Sequence, residues 1–150
     1  MKVILTLVFT LCAALTAHAA RIDTVAVHSP AMQREIPALV VVPDCAAQRP
    51  TPVLYLLHGY GGDECQWQQI TDLRPLADRF SMIIVCPDGE KSWYWDSPLK
   101  PESRFETFVG EELPRWVDAH YPTIAAREGR AITGLSMGGH GGLWLGIRHR

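Results

Sequence analysis

The chain has 150 residues, 14 basic and 16 acidic side chains, a net charge of −2 and 47% hydrophobic residues. Charge this balanced, with no basic stripe, excludes nucleic acid as an expected partner, and the length suits one modest domain. Its four cysteines follow no zinc spacing, so no metal is expected, and no motif implies an organic cofactor.

Residues 1–19 have the form of a Sec signal peptide. Lys2 gives the positive start, an apolar run covers 3–15, and Ala17-His18-Ala19 is a small-x-small cleavage site. That run is short for a membrane span. Phe9-Thr10-Leu11 lacks the small residues that precede a lipidated cysteine, so Cys12 is not expected to carry lipid. The expectation is export to the periplasm or beyond, without stable membrane insertion, leaving a domain over 20–150. Cys45, Cys65 and Cys86 then remain, an odd number in an oxidising compartment, and the sequence does not specify their pairing.

Residues 22–28 alternate apolar and polar, as a half-exposed strand does, and 34–43 predict a second strand. A polar, proline-bounded loop over 44–52 leads to 53–57, a continuous apolar run typical of a strand buried on both faces. A short helix is predicted over 73–80 and another buried strand over 82–86, stopped by Pro87-Asp88-Gly89. Apolar residues at three- and four-residue steps predict an amphipathic helix over 103–121. Ser103 and Glu106 there make a capping box, and Pro114 predicts a kink or break. Residues 130–135 predict the last strand. Strands alternating with helices argue for an α/β fold with a mostly parallel sheet.

That last strand runs into Gly134-Leu135-Ser136-Met137-Gly138, a G-x-S-x-G run continued by Gly139-His140-Gly141-Gly142. A serine on a strained turn between strand and helix projects its hydroxyl above the sheet edge, as a nucleophile must. Ligands in such sheets bind beyond the carboxyl ends of the strands. Two other loops leave those ends. His58-Gly59-Tyr60-Gly61-Gly62 can aim backbone amides at one point, and Ser92-Trp93-Tyr94-Trp95-Asp96 carries three adjacent aromatics. These either wall a substrate pocket or form a satellite core under the loop. Asp96 reads as a turn cap or a substrate contact, and Trp67 as packing.

Leu56-Leu57-His58-Gly59, Pro87-Asp88-Gly89, the loop 93–98 and 134–142 together resemble the putative-esterase family of α/β-hydrolases. The family takes in S-formylglutathione hydrolases, feruloyl and acetyl-xylan esterase modules, and mycolyltransferases. The resemblance implies an α/β-hydrolase fold and a serine ester hydrolase with Ser136 as nucleophile. Backbone amides of Tyr60 and Met137 would form the oxyanion hole. Trp93 and Trp95 are candidate substrate contacts for acyl, feruloyl or acetyl carbohydrate esters. Acyl transfer is the alternative chemistry, and a carbohydrate-binding remnant losing affinity on Trp95→Ala is the non-catalytic one.

The triad order on this fold is serine, then acid, then histidine. After Ser136 there are only His140, His149 and arginines. His140 is expected to turn away from the serine hydroxyl, and His149 to lie about 20 Å along the helix by helical rise. His58 is expected to brace the glycine loop, and His120 to be a surface residue. The triad acid and histidine are therefore expected beyond residue 150. The chain reads as the N-terminal portion of the domain, with its last strand left at an open edge.

Overall fold

The computed structural model describes residues 19–149. The signal-peptide reading therefore falls outside the described residues, apart from Ala19.

β1 (Arg21–Ser29) and β2 (Arg34–Val42) pair antiparallel, with Val25 opposite Ala38. Only four residues join them, enough for a hairpin and far too few for a crossover. β3 (Val53–Leu57) follows as a run with its interior almost wholly buried. Two short helices come next, α1 (Gln66–Ile70) and α2 (Arg74–Phe80). The sequence predicts the second but not the first, which has only five residues and buries none of them. β4 (Ile83–Pro87) is buried at every position. It pairs antiparallel with β2 (Val40 opposite Val85) and parallel with β3 (Tyr55 opposite Val85).

The predicted helix over 103–121 forms as three pieces, α3 (Phe105–Thr107), a π-helical turn Phe108–Glu112, and α4 (Leu113–His120). One expectation is corrected here. The Ser103–Glu106 capping box does not form. Arg104 is the N-cap residue and makes no side-chain cap bond, and Glu106 instead accepts from Trp144 Nε1 at 2.9 Å and from Arg148. Pro114 follows the interruption expected of it, the π turn between α3 and α4. It sits in the first turn of α4, directly after the π turn, where a missing N–H is tolerated.

β5 (Arg130–Gly134) pairs parallel with β3, Tyr55 facing Ile132, and leads into α5 (Met137–Arg148). The sheet order is β1-β2-β4-β3-β5. The α/β expectation holds. The sheet is mixed, with a parallel group of three strands and an antiparallel N-terminal pair. Alternation along the strands sends Val40, Val85 and Leu57 to one core with Phe105, Phe108, Leu113, Met137 and Leu145. Leu39, Leu56 and Ile84 face a second core on the opposite side, with Leu73 and Ala77 of the short helices.

Among the described residues β5 closes the sheet on one side, with β3 as its only partner, and Ala131 and Thr133 are exposed. Leu135, Leu143 and Ile147 add exposed apolar surface nearby. No helix among the described residues is long and apolar enough to cross a membrane. Cys45, Cys65 and Cys86 are free thiols. Burial, with a smaller push from Cys65, raises Cys86 to about 12, which keeps it from acting as a thiolate.

Candidate active site

The turn between β5 and α5 places Ser136 at the N-cap of α5 with φ 52° and ψ −110°, outside the regions an L-residue adopts freely. Such strain costs on the order of 1–3 kcal/mol and persists only where its surroundings enforce it. Here the neighbours do so. A Cβ on Gly134 would stand 2.5 Å from Leu57 O, and one on Gly138 would stand 2.4 Å from the same oxygen. The elbow therefore presses its backbone against the end of β3, and Leu135 N–H donates to Leu57 O at 3.2 Å. Ser136 itself is exposed. Met137 follows at the first position of α5, where an amide has no carbonyl one turn earlier to receive it.

The loop leaving β3 faces this elbow. Gly59 O accepts from Gly62 N–H at 3.0 Å, closing a turn in which Gly61 takes φ +81°. That turn uses the ends of the loop and leaves the Tyr60 amide outside its hydrogen bond. Gln66 Oε1 accepts from Gly59 N–H at 2.8 Å, tying the loop to α1. The expected brace is in place at His58, which is buried. Its Nδ1 donates to Gly59 O at 2.8 Å, and its Nε2 accepts from Gly89 N–H at 2.8 Å. A carbonyl can only accept and an amide only donate, so this pair of bonds assigns the proton to Nδ1.

Asp88 stands 3.4 Å from His58 Nε2. Burial disfavours a charged ring, but the Asp88 carboxylate and the Gly59 carbonyl outweigh it, so the His58 pKa lies above its ordinary value. Burial would raise Asp88, yet His58 and the Glu90 amide hold its carboxyl below its ordinary range. The Gly89 amide competes with a second proton for Nε2, so the neutral, amide-bonded ring and the Asp88 ion pair are alternatives.

The three rings of the aromatic loop part, one inward and two outward. Tyr94 is fully buried, and its hydroxyl donates to His58 O at 3.2 Å. Its ring fills space that only glycine leaves open: a Cβ would meet it at 2.3 Å from Gly89 and 2.5 Å from Gly141. Trp93 and Trp95 turn outward, 45% and 47% exposed. Asp96 is a cap, accepting from Thr107 N–H at 3.0 Å and Thr107 Oγ1 at 2.6 Å. Trp67 packs as expected and donates Nε1 to Leu57 O at 3.0 Å. Sequence reasoning missed Tyr94 as the hub. The signal was Gly89 and Gly141, where a side chain would collide with the Tyr94 ring.

None of the five described histidines bonds the Ser136 hydroxyl. His28 pairs with Glu35, His58 is committed as above, and His120 donates to Trp116 O at 2.7 Å. His140 lies among tryptophans, and His149 faces Glu106 and Gly110 at the far end of α5. A cavity of about 570 Å³, lined by Tyr55, Arg130, Ile132, Leu145 and His149 among others, opens beside the first half of β5 and does not include Ser136.

Residues 29–150 match the family described as "Putative esterase". The chain belongs to this esterase family. An acetyl esterase of Caldicellulosiruptor saccharolyticus is 38% identical to this esterase-family chain over 96 residues, covering 64% of it and 36% of the relative. Among solved structures, a ferulic acid esterase superposes with TM-score 0.76 at 30% identity, over 87% of this chain and 53% of that one. An S-formylglutathione hydrolase from Agrobacterium tumefaciens gives TM-score 0.80 at 25% identity, over 89% and 55%. The chain thus spans about a third of that acetyl esterase and about half of each solved esterase.

Proposed function

We propose that the protein is an exported serine carboxylic-ester hydrolase in which Ser136 attacks the ester carbonyl and holds the acyl group until water removes it. The strained backbone of Ser136, enforced by Gly134 and Gly138, carries this reading. The amides of Tyr60 and Met137 receive the negative oxygen of the tetrahedral intermediate, each contributing about 3 kcal/mol in the transition state. Trp93 and Trp95 contact the substrate, an acyl, feruloyl or acetyl ester on carbohydrate. Two relatives, an acetyl esterase and a ferulic acid esterase, support that class.

Export rests on residues 1–19. Cleavage after Ala19 would make Ala20 N an ammonium, and that nitrogen already lies 2.9 Å from Asp78 Oδ2. N-terminal sequencing of secreted protein is expected to start at Ala20.

The functional test is p-nitrophenyl acetate hydrolysis by the chain beside Ser136→Ala, with fluorophosphonate labelling. Without a bonded base, oxyanion hole and binding alone are expected to leave a rate about 10³ above water. Burst release of nitrophenolate and the label should both vanish in Ser136→Ala, whereas that background rate, which does not pass through the serine, should remain. Labelling or burst release that survives the substitution would overturn the assignment. An added acceptor alcohol separates hydrolysis from acyl transfer.

A further inference from the structure

A polar side chain sits inside the aromatic surface beside the elbow. His140 lies one turn along α5, its N–H donating to Ser136 O at 3.0 Å. Its ring meets Trp93 edge-on at 5.7 Å and Trp95 edge-on at 5.3 Å, and lies nearly parallel to Trp144 at 6.4 Å. Tyr60 extends the row beyond Trp93. An aromatic hydrocarbon would pack in this place without carrying polar atoms into it. Instead, Nδ1 is buried with no hydrogen-bond partner. With rings around it, a proton on Nδ1 can make a weak N–H···π contact, whereas a lone pair there would meet no donor, so the proton is placed on Nδ1. Nε2 then keeps its lone pair, and it is not among the buried, unpartnered atoms.

We propose that His140 is a specificity-determining residue whose Nε2 accepts a hydrogen bond from a hydroxyl on a ring of the substrate, seated between Trp93 and Trp95. The inference rests on Ser136 being the reacting residue, since that makes this aromatic surface part of the same site. The indole faces take either a phenolic ring or the C–H face of a sugar, and the hydroxyl is what the two share. A ring without it leaves the imidazole nitrogen unpaired, the kind of mismatch that discriminates strongly.

Tryptophan fluorescence titration of the full chain reads this contact without requiring turnover. Para-coumarate and cinnamate differ only in the phenolic hydroxyl, and Lys91 and Arg148, at the two ends of the aromatic row, act equally on their shared carboxylate. Para-coumarate is expected to bind about tenfold more tightly, the scale of one hydrogen bond. Para-methoxycinnamate, which cannot donate, should bind like cinnamate. His140→Phe keeps an aromatic ring and should close the gap. Methyl xyloside tests the sugar source, and His140-dependent binding there, in place of the coumarate gap, would assign the ring to carbohydrate.

Three results overturn the proposal: no binding by any of these ligands, a gap that survives in His140→Phe, or, with no His140-dependent xyloside binding, equal affinity for coumarate and cinnamate. The methoxy comparison needs only the unaltered protein, so it decides even if the variant does not fold. Ser136→Ala should show the same gap, which separates failure of this contact from failure of the nucleophile assignment.

Discussion

Ser136 holds its unusual backbone because glycines on either side let the elbow lie against Leu57 O. With Gly138→Ala, the new methyl would meet that oxygen at 2.4 Å and His58 O at 2.7 Å, both rigid backbone atoms. Overpacking of this kind costs about 1–3 kcal/mol or more. Urea denaturation is expected to show at least that loss, together with loss of fluorophosphonate labelling. A second prediction concerns His58 and Asp88. A raised folded pKa at His58 means its stabilisation is complete below the ordinary 6.5 and lost as pH rises through the raised value. The lowered pKa of Asp88 means its share is present above the ordinary 3.8 and lost as pH falls through the depressed value. The thermal midpoint should therefore be highest between these limits. Asp88→Asn should flatten the decline on the alkaline side, leaving the Gly89 amide bond to hold the ring.

Elements here are joined by side chains that cross between them. Trp93 and Tyr94 take consecutive left-handed φ values of 58° and 60°. Each costs roughly 1–2 kcal/mol, whereas burying a tyrosine removes about 150 Å² or more, on the order of 4 kcal/mol. Burial offsets the strain, so the loop is held by its middle residue and throws the two flanking indoles outward. The Tyr94 hydroxyl also ties the loop to the carbonyl of His58, so one ring connects the loops after β3 and β4 with α5. The helical segment 105–120 follows similar logic. A proline deep in an α-helix costs about 3 kcal/mol, but the π turn before α4 has already displaced the hydrogen-bond ladder. Pro114→Ala is therefore expected to change stability by less than about 1 kcal/mol. A gain near 3 kcal/mol in urea denaturation would show that the π turn accommodates nothing.

Across the whole molecule, the N-terminal edge is a hairpin strand, whereas the other edge among the described residues is β5, with Ala131 and Thr133 exposed beside Leu135, Leu143 and Ile147. An unpaired strand edge whose exposed residues carry no charge templates association with another chain. The purified chain is expected to self-associate by size-exclusion chromatography with light scattering, and Thr133→Lys should shift it toward monomer. Unchanged association in Thr133→Lys would move the contact elsewhere.

All five strands were legible in the residues, because alternating or continuous apolar runs report burial directly, within a residue or two. The elbow was legible for a related reason: glycine spacing around a serine encodes a backbone constraint that is local. α1 buries no residue and so left no periodic signal, and the Ser103–Glu106 cap failed because Glu106 has partners distant in the chain. Glu106 leaves its own N-terminus for Trp144 and Arg148, 38 and 42 residues away. The three aromatics at 93–95 had no local signal for which would face inward. Tyr94 went inside because Gly89 and Gly141, brought together by the sheet, leave room for one ring between them. Local periodicity and glycine spacing thus specify strands and the strained serine, whereas the side chains surrounding that serine are assigned by long-range packing that no window of sequence contains.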